Sequence, residues 1–245
     1  MPARDVAIDG ALIYSCDPTS PGLDWLLRRG LPLVYVDQAP APGIASVNVD
    51  DRAGARAAAQ HVVDLGHRRV AIVVSAVAEA PHGVVPEPTV AALGHPGRQR
   101  LLGWHDALDV AGIRPIMVQL PHSFDEESSR IAAQLLTGPD RPTAVLCFSD
   151  AIAYGIVQVA GDLSIKVPEQ LSVVGFDDNP LARRMRPALT TVRQDVTAKG
   201  RAAAAALTSA LEAARAGVAG PSEHLLLPTE LVVRDSTAEP PPEIP

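Results

Sequence analysis

The residues Leu171-Ser172-Val173-Val174-Gly175-Phe176-Asp177-Asp178 form the most informative segment of this 245-residue chain. The apolar run from Ser172 to Phe176 is typical of a strand buried on both faces, as in a parallel sheet. Two acids follow directly, and ligands bind at the carboxyl edge of an open α/β sheet. A second strand-like run lies within 187–194, after a short loop. The stretch therefore predicts a parallel sheet with a polar ligand site beside Asp177.

Strand-like and helix-like segments alternate along the rest of the chain, which indicates parallel βαβ units. The other predicted strands are 11–14, 33–36, 46–49, 70–74, 117–120, 144–148, 223–227 and 230–234. The predicted helices are 23–29, 52–65, 98–110, 125–136, 151–160 and 197–216. One segment, 76–96, is rich in Pro, Gly and His and has no sustained period. We expect it to be a long surface loop of the kind that forms lids.

Composition excludes several classes of protein. A formal net charge of -7 and a pI of about 5.4 predict poor binding to nucleic acid by the chain itself. Cys16 and Cys147 lie in apolar runs, so we expect buried free thiols in a reducing cytoplasm. The start has no secretory signal pattern, and no apolar run approaches the roughly 18 residues of a membrane helix. The seven histidines show no ligand spacing, so we expect neither metal nor cofactor.

Five further segments carry a resemblance to a known family. They are Asp9 to Ile13, Asn48 to Ala55, Leu65 to Ala71, Arg98 to Trp104 and Pro142 to Asp150. With the stretch 171–178, and in this order, they resemble the effector-binding core of the lactose-repressor/galactose-repressor (LacI/GalR) family of bacterial transcription regulators. The match covers nearly the whole chain. It implies a two-lobed α/β fold of the periplasmic-binding-protein type I, with a small effector in the cleft and no chemistry performed on it.

The resemblance also implies a domain division, in which the chain crosses between lobes near Val49, Val192 and Pro228. The first lobe would comprise 1–48 and 192–227, and the second lobe 49–191 and 228–236. We expect 237–245, with its three prolines, to be a disordered tail. The chain opens at what resembles the family's third strand, so the first lobe is expected to be incomplete and N-terminally truncated. Operator DNA would be reached only through a helix-turn-helix absent from this chain, in a homodimer.

The effector site can be carried over residue by residue. Arg100 matches the arginine that grips effector hydroxyls or a carboxylate, a task that suits its planar fork of donors. Asp177 would accept sugar hydroxyls, or pair with Arg100 when no effector is bound. Ser149 stands where the family usually has a ligand-binding Asn, which leaves the effector class open. Asp150 is expected to cap the following helix, and Asp178 to cap a loop.

Three weaker matches complete the predicted site. Gln194 occupies a hinge position that faces the ligand, and Phe124 lies where the family often has an aromatic that stacks on the effector. Core packing explains Phe124 equally well. Asp17 could reach the effector from the first lobe. A donor, an acceptor and a hydroxyl match a ring of hydroxyls, so we expect a small polar effector, a sugar or sugar derivative.

Two alternative functions stay open at this point. A solute-binding protein of a sugar transporter has the same fold, but it would need a signal peptide. An α/β enzyme would need a nucleophile, a base or a cofactor loop at the strand ends, where the sequence offers Asp177, Asp178 and Ser149.

Overall fold

The computed structural model describes residues 7–15, 20–76, 80–88, 93–121 and 124–242. It contains two compact units. Unit 1 comprises Met1–Asp50, Gly94–Pro96 and Asp195–Pro228, and unit 2 comprises Asp51–Leu93, Gly97–Gln194 and Thr229–Pro245. Residues 192–194 thus lie in unit 2, whereas the resemblance predicted them in the first lobe.

Strands and helices alternate as the sequence predicts. The strands are β1 (Ala11–Tyr14), β2 (Leu33–Val36), β3 (Ala45–Val49), β4 (Val70–Ser75), β5 (Gly83–Val85), β6 (Ile116–Leu120), β7 (Ala144–Cys147), β8 (Ser172–Asp177), β9 (Thr190–Gln194), β10 (His224–Leu227) and β11 (Thr229–Val232). The helices are α1 (Pro21–Arg28), α2 (Asp51–Asp64), α3 (His95–Leu108), α4 (Glu126–Thr137), α5 (Asp150–Asp162), α6 (Pro180–Arg184) and α7 (Val196–Ala216). The α/β fold with parallel sheets is therefore confirmed.

Unit 1 is built on a four-stranded parallel sheet in the order β1-β2-β3-β10. Apolar side chains of the sheet pack on a helix at each face, because successive residues of a strand point to opposite sides. The cluster on the α1 face is Ile13, Leu23, Leu26, Leu33 and Tyr35. The cluster on the α7 face is Val34, Val36, Ala45, Val47 and Ala203. Asp195 caps α7 by accepting a hydrogen bond from the Ala198 N–H at 2.8 Å.

Unit 2 is built on a seven-stranded sheet in the order β11-β9-β8-β7-β4-β6-β5. The five central strands are parallel, and β11 and β5 pair antiparallel at the two edges. Strand β4 shows why the sequence run is apolar throughout. Ala71 and Val73 pack in one cluster with α4 and α5, while Val70, Ile72 and Val74 pack in another with α2 and α3. A strand covered on both faces has no polar side.

Two short elements differ from the sequence expectation. The segment 76–96 is not a loop throughout, because Gly83–Val85 forms β5 against β6 and α3 begins at His95. Helix α6 was not predicted either. It has five residues, and Asn179 caps it by accepting from the Leu181 and Ala182 N–H groups at 2.8 and 3.3 Å. Elements of three and five residues are too short for a hydrophobic period to be recognised in the sequence.

The segment that follows β11 is held on unit 2 by hydrogen bonds. Ser236 is fully buried, and its hydroxyl donates to the Val173 carbonyl at 2.6 Å. The buried His67 ring lies 2.9 Å from the Ala238 carbonyl oxygen through Nε2. Ala238 is therefore hydrogen-bonded to unit 2, although it lies within the range 237–245 that was expected to be a disordered tail. Cys147 is a buried free thiol, as predicted, and Cys16 lies outside the described residues.

Candidate functional site

The candidate site lies in unit 2, where Arg100 projects from the second turn of α3. Helix α3 approaches the start of α2 closely at Gly103, since a β-carbon there would collide with the Arg52 carbonyl oxygen. Arg100 lies one turn before this contact. The absence of a side chain at Gly103 therefore lets α3 lie close against the start of α2, and this contact fixes the helix that carries Arg100.

Arg100 is 4% exposed, and each of its three nitrogens lies near an oxygen. Nε donates to Asp51 Oδ1 at 2.8 Å, and Nη1 donates to the Phe148 carbonyl at 2.5 Å. Nη2 lies 3.6 Å from Asp177 Oδ1. Asp51 is itself 2% exposed, so the two opposite charges compensate one another away from water.

Two aromatic rings enclose the guanidinium. Its carbon Cζ lies 3.6 Å from the ring centroid of Phe176 and 4.6 Å from that of Phe148. Both distances are within the range of a cation–π interaction, which strengthens when water is excluded. The two rings therefore orient the Arg100 guanidinium and exclude water from it. The neighbouring Asp177 side chain is more exposed to solvent.

Asp177 ends β8 and joins Arg100 to Gln194. Its side chain is 29% exposed, and its Oδ1 accepts a hydrogen bond from Gln194 Nε2 at 2.7 Å. Its backbone has a φ of 117°, a conformation that is unfavourable for any residue other than glycine. Three of the predicted site residues, Arg100, Asp177 and Gln194, thus form one cluster at the carboxyl edge of the sheet.

Ser149 lies at the same edge, at the end of β7. It is the N-cap of α5, and its hydroxyl oxygen accepts a hydrogen bond from the Ile152 N–H at 3.3 Å. The cap was expected at Asp150, which instead is the first residue of the helix and is fully buried. The serine hydroxyl retains its hydrogen, so it can still donate a hydrogen bond to a ligand.

The last two predicted residues have different outcomes. Phe124 is half-buried, and its ring lies so close to Gly155 of α5 that a β-carbon there would come within 2.5 Å of the ring. It packs against the core cluster of α4 and α5, and stacking on an effector stays a prediction. Asp17 lies outside the described residues.

Asp178 has a different role from the expected loop cap. Its side chain is 1% exposed, and its carboxylate accepts hydrogen bonds from three arginines. Oδ2 accepts from Arg193 Nε at 2.7 Å and from Arg183 Nη2 at 3.1 Å, and Oδ1 accepts from Arg234 Nη2 at 2.5 Å. Burial opposes ionisation of this carboxyl, but the three arginine hydrogen bonds outweigh it and lower the pKa of Asp178 to about 2. Asp178 is therefore a junction between β8, α6, β9 and the chain after β11.

Acidification should weaken unit 2 through Asp178. Because its folded pKa is depressed, its contribution is present above about pH 4 and is lost as the pH falls towards 2. The lowered pKa corresponds to about 2 kcal/mol of unfolding free energy. Urea unfolding between pH 2.5 and 5 should show this loss in the wild-type chain and a flatter profile in Asp178→Asn. Parallel profiles for the two proteins would contradict the assignment.

Unit 1 contains a buried ion pair that sequence reasoning missed. Asp37 follows β2 and Lys199 lies in the first turn of α7, and each is 5% exposed. Lys199 Nζ lies 2.5 Å from Asp37 Oδ2, while the buried Asp37 Oδ1 has no hydrogen-bond partner within the described residues. The signal was present, because Asp37 is an acid directly after a buried strand, as Asp177 is.

Asp51 was missed in a similar way. It lies in the segment Asn48 to Ala55, which was noted only for its family resemblance, although it is the buried partner of Arg100. Among the described residues, no group of three His, Cys, Asp or Glu side chains could hold a metal ion. In the same parts of the chain, no helix is long and apolar enough to cross a membrane.

Comparison with known proteins places these features in a family context. Residues 59–237 match the family of periplasmic binding protein-like domains. The HTH-type transcriptional regulator MalR from Streptomyces coelicolor is 37% identical over 223 residues, which cover 89% of this chain and 59% of MalR. The chain thus spans less than two thirds of the length of this curated relative.

Two solved structures are similar over nearly the whole chain. A LacI-family transcriptional regulator from Corynebacterium glutamicum has a TM-score of 0.83 at 26% identity, covering 96% of this chain and 69% of that one. The complex of the transcriptional regulator CelR with cellobiose has a TM-score of 0.77 at 28% identity, covering 94% and 66%.

Proposed function

This chain belongs to the family of periplasmic binding protein-like domains, in the group formed by the LacI-type transcriptional regulators, and from this we propose that it is the effector-sensing part of such a regulator. The resemblance stated from the sequence is thereby confirmed. The proposed effector is a sugar or a sugar derivative. The observation that carries the proposal is the cluster of Arg100, Asp177 and Gln194 at the carboxyl edge of the sheet in unit 2.

The chemistry of the cluster fits a ring of hydroxyl groups. Asp177 is partly exposed and can only accept, while the Gln194 amide can both donate and accept. Ser149 adds a hydroxyl that can donate. A sugar hydroxyl is both a donor and an acceptor, so it can be satisfied by each of these groups. The complex of CelR with cellobiose supports the same class of effector.

Regulation of transcription by the whole protein is part of the proposal. The chain has a net charge of -7, which disfavours contact with phosphates, so operator DNA would be bound by a helix-turn-helix outside this sequence. We propose a homodimer in the cytoplasm, because a palindromic operator is read by a two-fold protein. The chain would bind its effector without altering it covalently.

Sugar binding should be visible as thermal stabilisation, followed by calorimetric titration. We would screen ribose, glucose and cellobiose, since a ligand that binds only the folded state raises its melting temperature. Asp177→Asn should weaken the affinity for the responding sugar by about 10- to 150-fold, the value of a hydrogen bond to a charged group. Asp177 is a better target than Arg100, because its partial exposure lets the charge be removed with less damage to the core.

A matched control is Asp162→Asn, which removes the same charge from an exposed residue at the end of α5. It should leave the affinity unchanged. If the three sugars leave the melting temperature of the wild-type chain unchanged, the proposed effector class is wrong. If a sugar binds but both variants retain its affinity, the location of the site is wrong.

A further inference from the structure

Asp150 connects the ends of three neighbouring strands in unit 2. It follows β7, and its Oδ2 accepts a hydrogen bond from the Asn179 N–H, in the turn after β8, at 2.8 Å. Its Oδ1 accepts from the Thr191 hydroxyl, in β9, at 2.5 Å. Both Asp150 and Thr191 are fully buried, so no water competes for these bonds. One carboxyl group, attached just after β7, therefore links the three adjacent strands β7, β8 and β9.

The path of this side chain depends on the central strand. Asp150 passes over β8 at Gly175, where a β-carbon would collide with Asp150 Oδ1 and would lie 2.7 Å from Leu189 Cδ2. Any side chain at Gly175 would block the carboxyl group from Thr191. Packing therefore requires a glycine at position 175, because only a residue without a side chain leaves space for the Asp150 carboxyl group.

The turn that Asp150 holds is strained. Asp177 and Asp178 have φ values of 117° and 53°, and each such residue costs of order 1–3 kcal/mol unless its surroundings hold it. The Asn179 N–H is the donor directly after these two residues, and it points to Asp150. The Asp178 side chain is held from the other side by its three arginines, so Asp150 is the second anchor of the turn. Without it, the backbone at 177–179 loses one of its two fixed points, and the Asp177 carboxylate is held less firmly towards Arg100 and Gln194.

We infer that Asp150 is a positioning residue of the proposed effector site, because it fixes the strained turn 177–179 and thereby the direction of the Asp177 carboxylate. It touches no effector itself. The inference rests on the proposed function only where it concerns sugar affinity. Its structural half concerns the turn and can be measured without a ligand.

The protonation of Asp150 supports this role. Burial raises the pKa of Asp150 to about 7, against the hydrogen bonds from Thr191 and Asn179, and the Asp177 and Asp178 charges also raise it. Burial, together with the Asp150 charge, also raises the pKa of the Cys147 thiol at the end of β7. A protonated Asp150 can donate to the Thr191 hydroxyl and still accept from Asn179, so it keeps both contacts and removes repulsion between the carboxylates.

Asparagine imitates this protonated form. Its amide NH₂ can donate to Thr191 while its carbonyl accepts from Asn179. Asp150→Asn should thus hold the turn, whereas Asp150→Ala removes both contacts. Thr191→Val removes only the hydroxyl partner and keeps the shape of the side chain. Asp125→Ala is a matched control, because Asp125 caps α4 in the same unit through the Ser128 N–H at 3.0 Å.

The test is amide hydrogen exchange of the whole chain, with Asn179, Leu181 and Ala182 compared to amides in α2. In Asp150→Ala the turn amides should exchange about 10- to 100-fold faster relative to α2, the value of a buried hydrogen bond to a carboxyl group. Thr191→Val should give a smaller increase, about 3- to 10-fold. Asp150→Asn and Asp125→Ala should match the wild-type ratio at pH 6.

A second measurement addresses the site itself, by calorimetric titration with cellobiose. Affinity should fall at least tenfold in Asp150→Ala and stay within about twofold in Asp150→Asn. Turn amides that exchange in Asp150→Ala as in Asp125→Ala would overturn the inference, as would an Asp150→Asn variant that behaves like the alanine. If Asp150→Ala does not fold, Thr191→Val and Asp150→Asn decide the question. If cellobiose does not bind the wild type, the titration is made with ribose or glucose; if none of the three sugars binds, the proposed function is wrong, and the exchange ratios still decide the role of Asp150.

Discussion

Arg100→Ala should lower the free energy of unfolding by about 3–5 kcal/mol with no effector present, because it removes the buried cation that compensates the charge of the Asp51 carboxylate. Asp51 is 2% exposed and lies 2.8 Å from Arg100 Nε. The rings of Phe148 and Phe176 would also lose the cation that fills the space between them. Equilibrium unfolding in urea measures this loss directly.

Removing both charges separates the lost pair from the lost volume. Arg100→Met with Asp51→Asn fills the space and leaves no buried charge, so it should recover more than half of the loss. A cost below about 1 kcal/mol for Arg100→Ala, typical of an exposed pair, would show that the pair is solvated. Since the alanine weakens the unit itself, reduced sugar binding by Arg100→Ala would not identify Arg100 as a contact.

Lys199→Ala should have an effect of similar size on unit 1. It leaves Asp37 buried without its cation, and Asp37 already has one oxygen with no hydrogen-bond partner within the described residues. Breaking one side of a buried pair costs about 3–5 kcal/mol. Thermal and urea unfolding should both report the loss, and Lys199→Met with Asp37→Asn should restore most of it.

Arg201→Ala is the matched control, since Arg201 is exposed on the same helix two residues further along. It should change stability by less than about 0.5 kcal/mol, as surface substitutions usually do. Equal effects of Lys199→Ala and Arg201→Ala would mean that the Lys199–Asp37 pair contributes no more than an exposed charge.

The sequence predicts the architecture well because the hydrophobic pattern within each segment indicates whether it forms a strand or a helix. The apolar strand from Ser172 to Phe176 and the alternating helices each have enough length to show a period. Strand β5 and helix α6, with three and five residues, do not. Their formation depends on β6 and on the Asn179 cap, so they become visible only with the tertiary fold.

Arg100 and Asp177 of the candidate site could be predicted because they match positions of a known family. The buried ion pairs that stabilise the two units could not be predicted in this way. Lys199 and Asp37 are 162 residues apart, and Arg234 is 56 residues from Asp178. No spacing rule links positions so distant, and a charge on a helix is usually assigned to a solvated face. An acid directly after a buried strand, such as Asp37, is nevertheless a candidate member of a buried ion pair.

The passage of Asp150 over Gly175 constrains how this sequence can diverge. A side chain at Gly175 would close the path to Thr191, so the aspartate would then become a buried acid with one partner lost. Conversely, a small residue at Asp150 would leave space above the glycine that a methyl group could fill. We therefore expect the glycine, the aspartate and the threonine to be replaced together or retained together as related sequences separate.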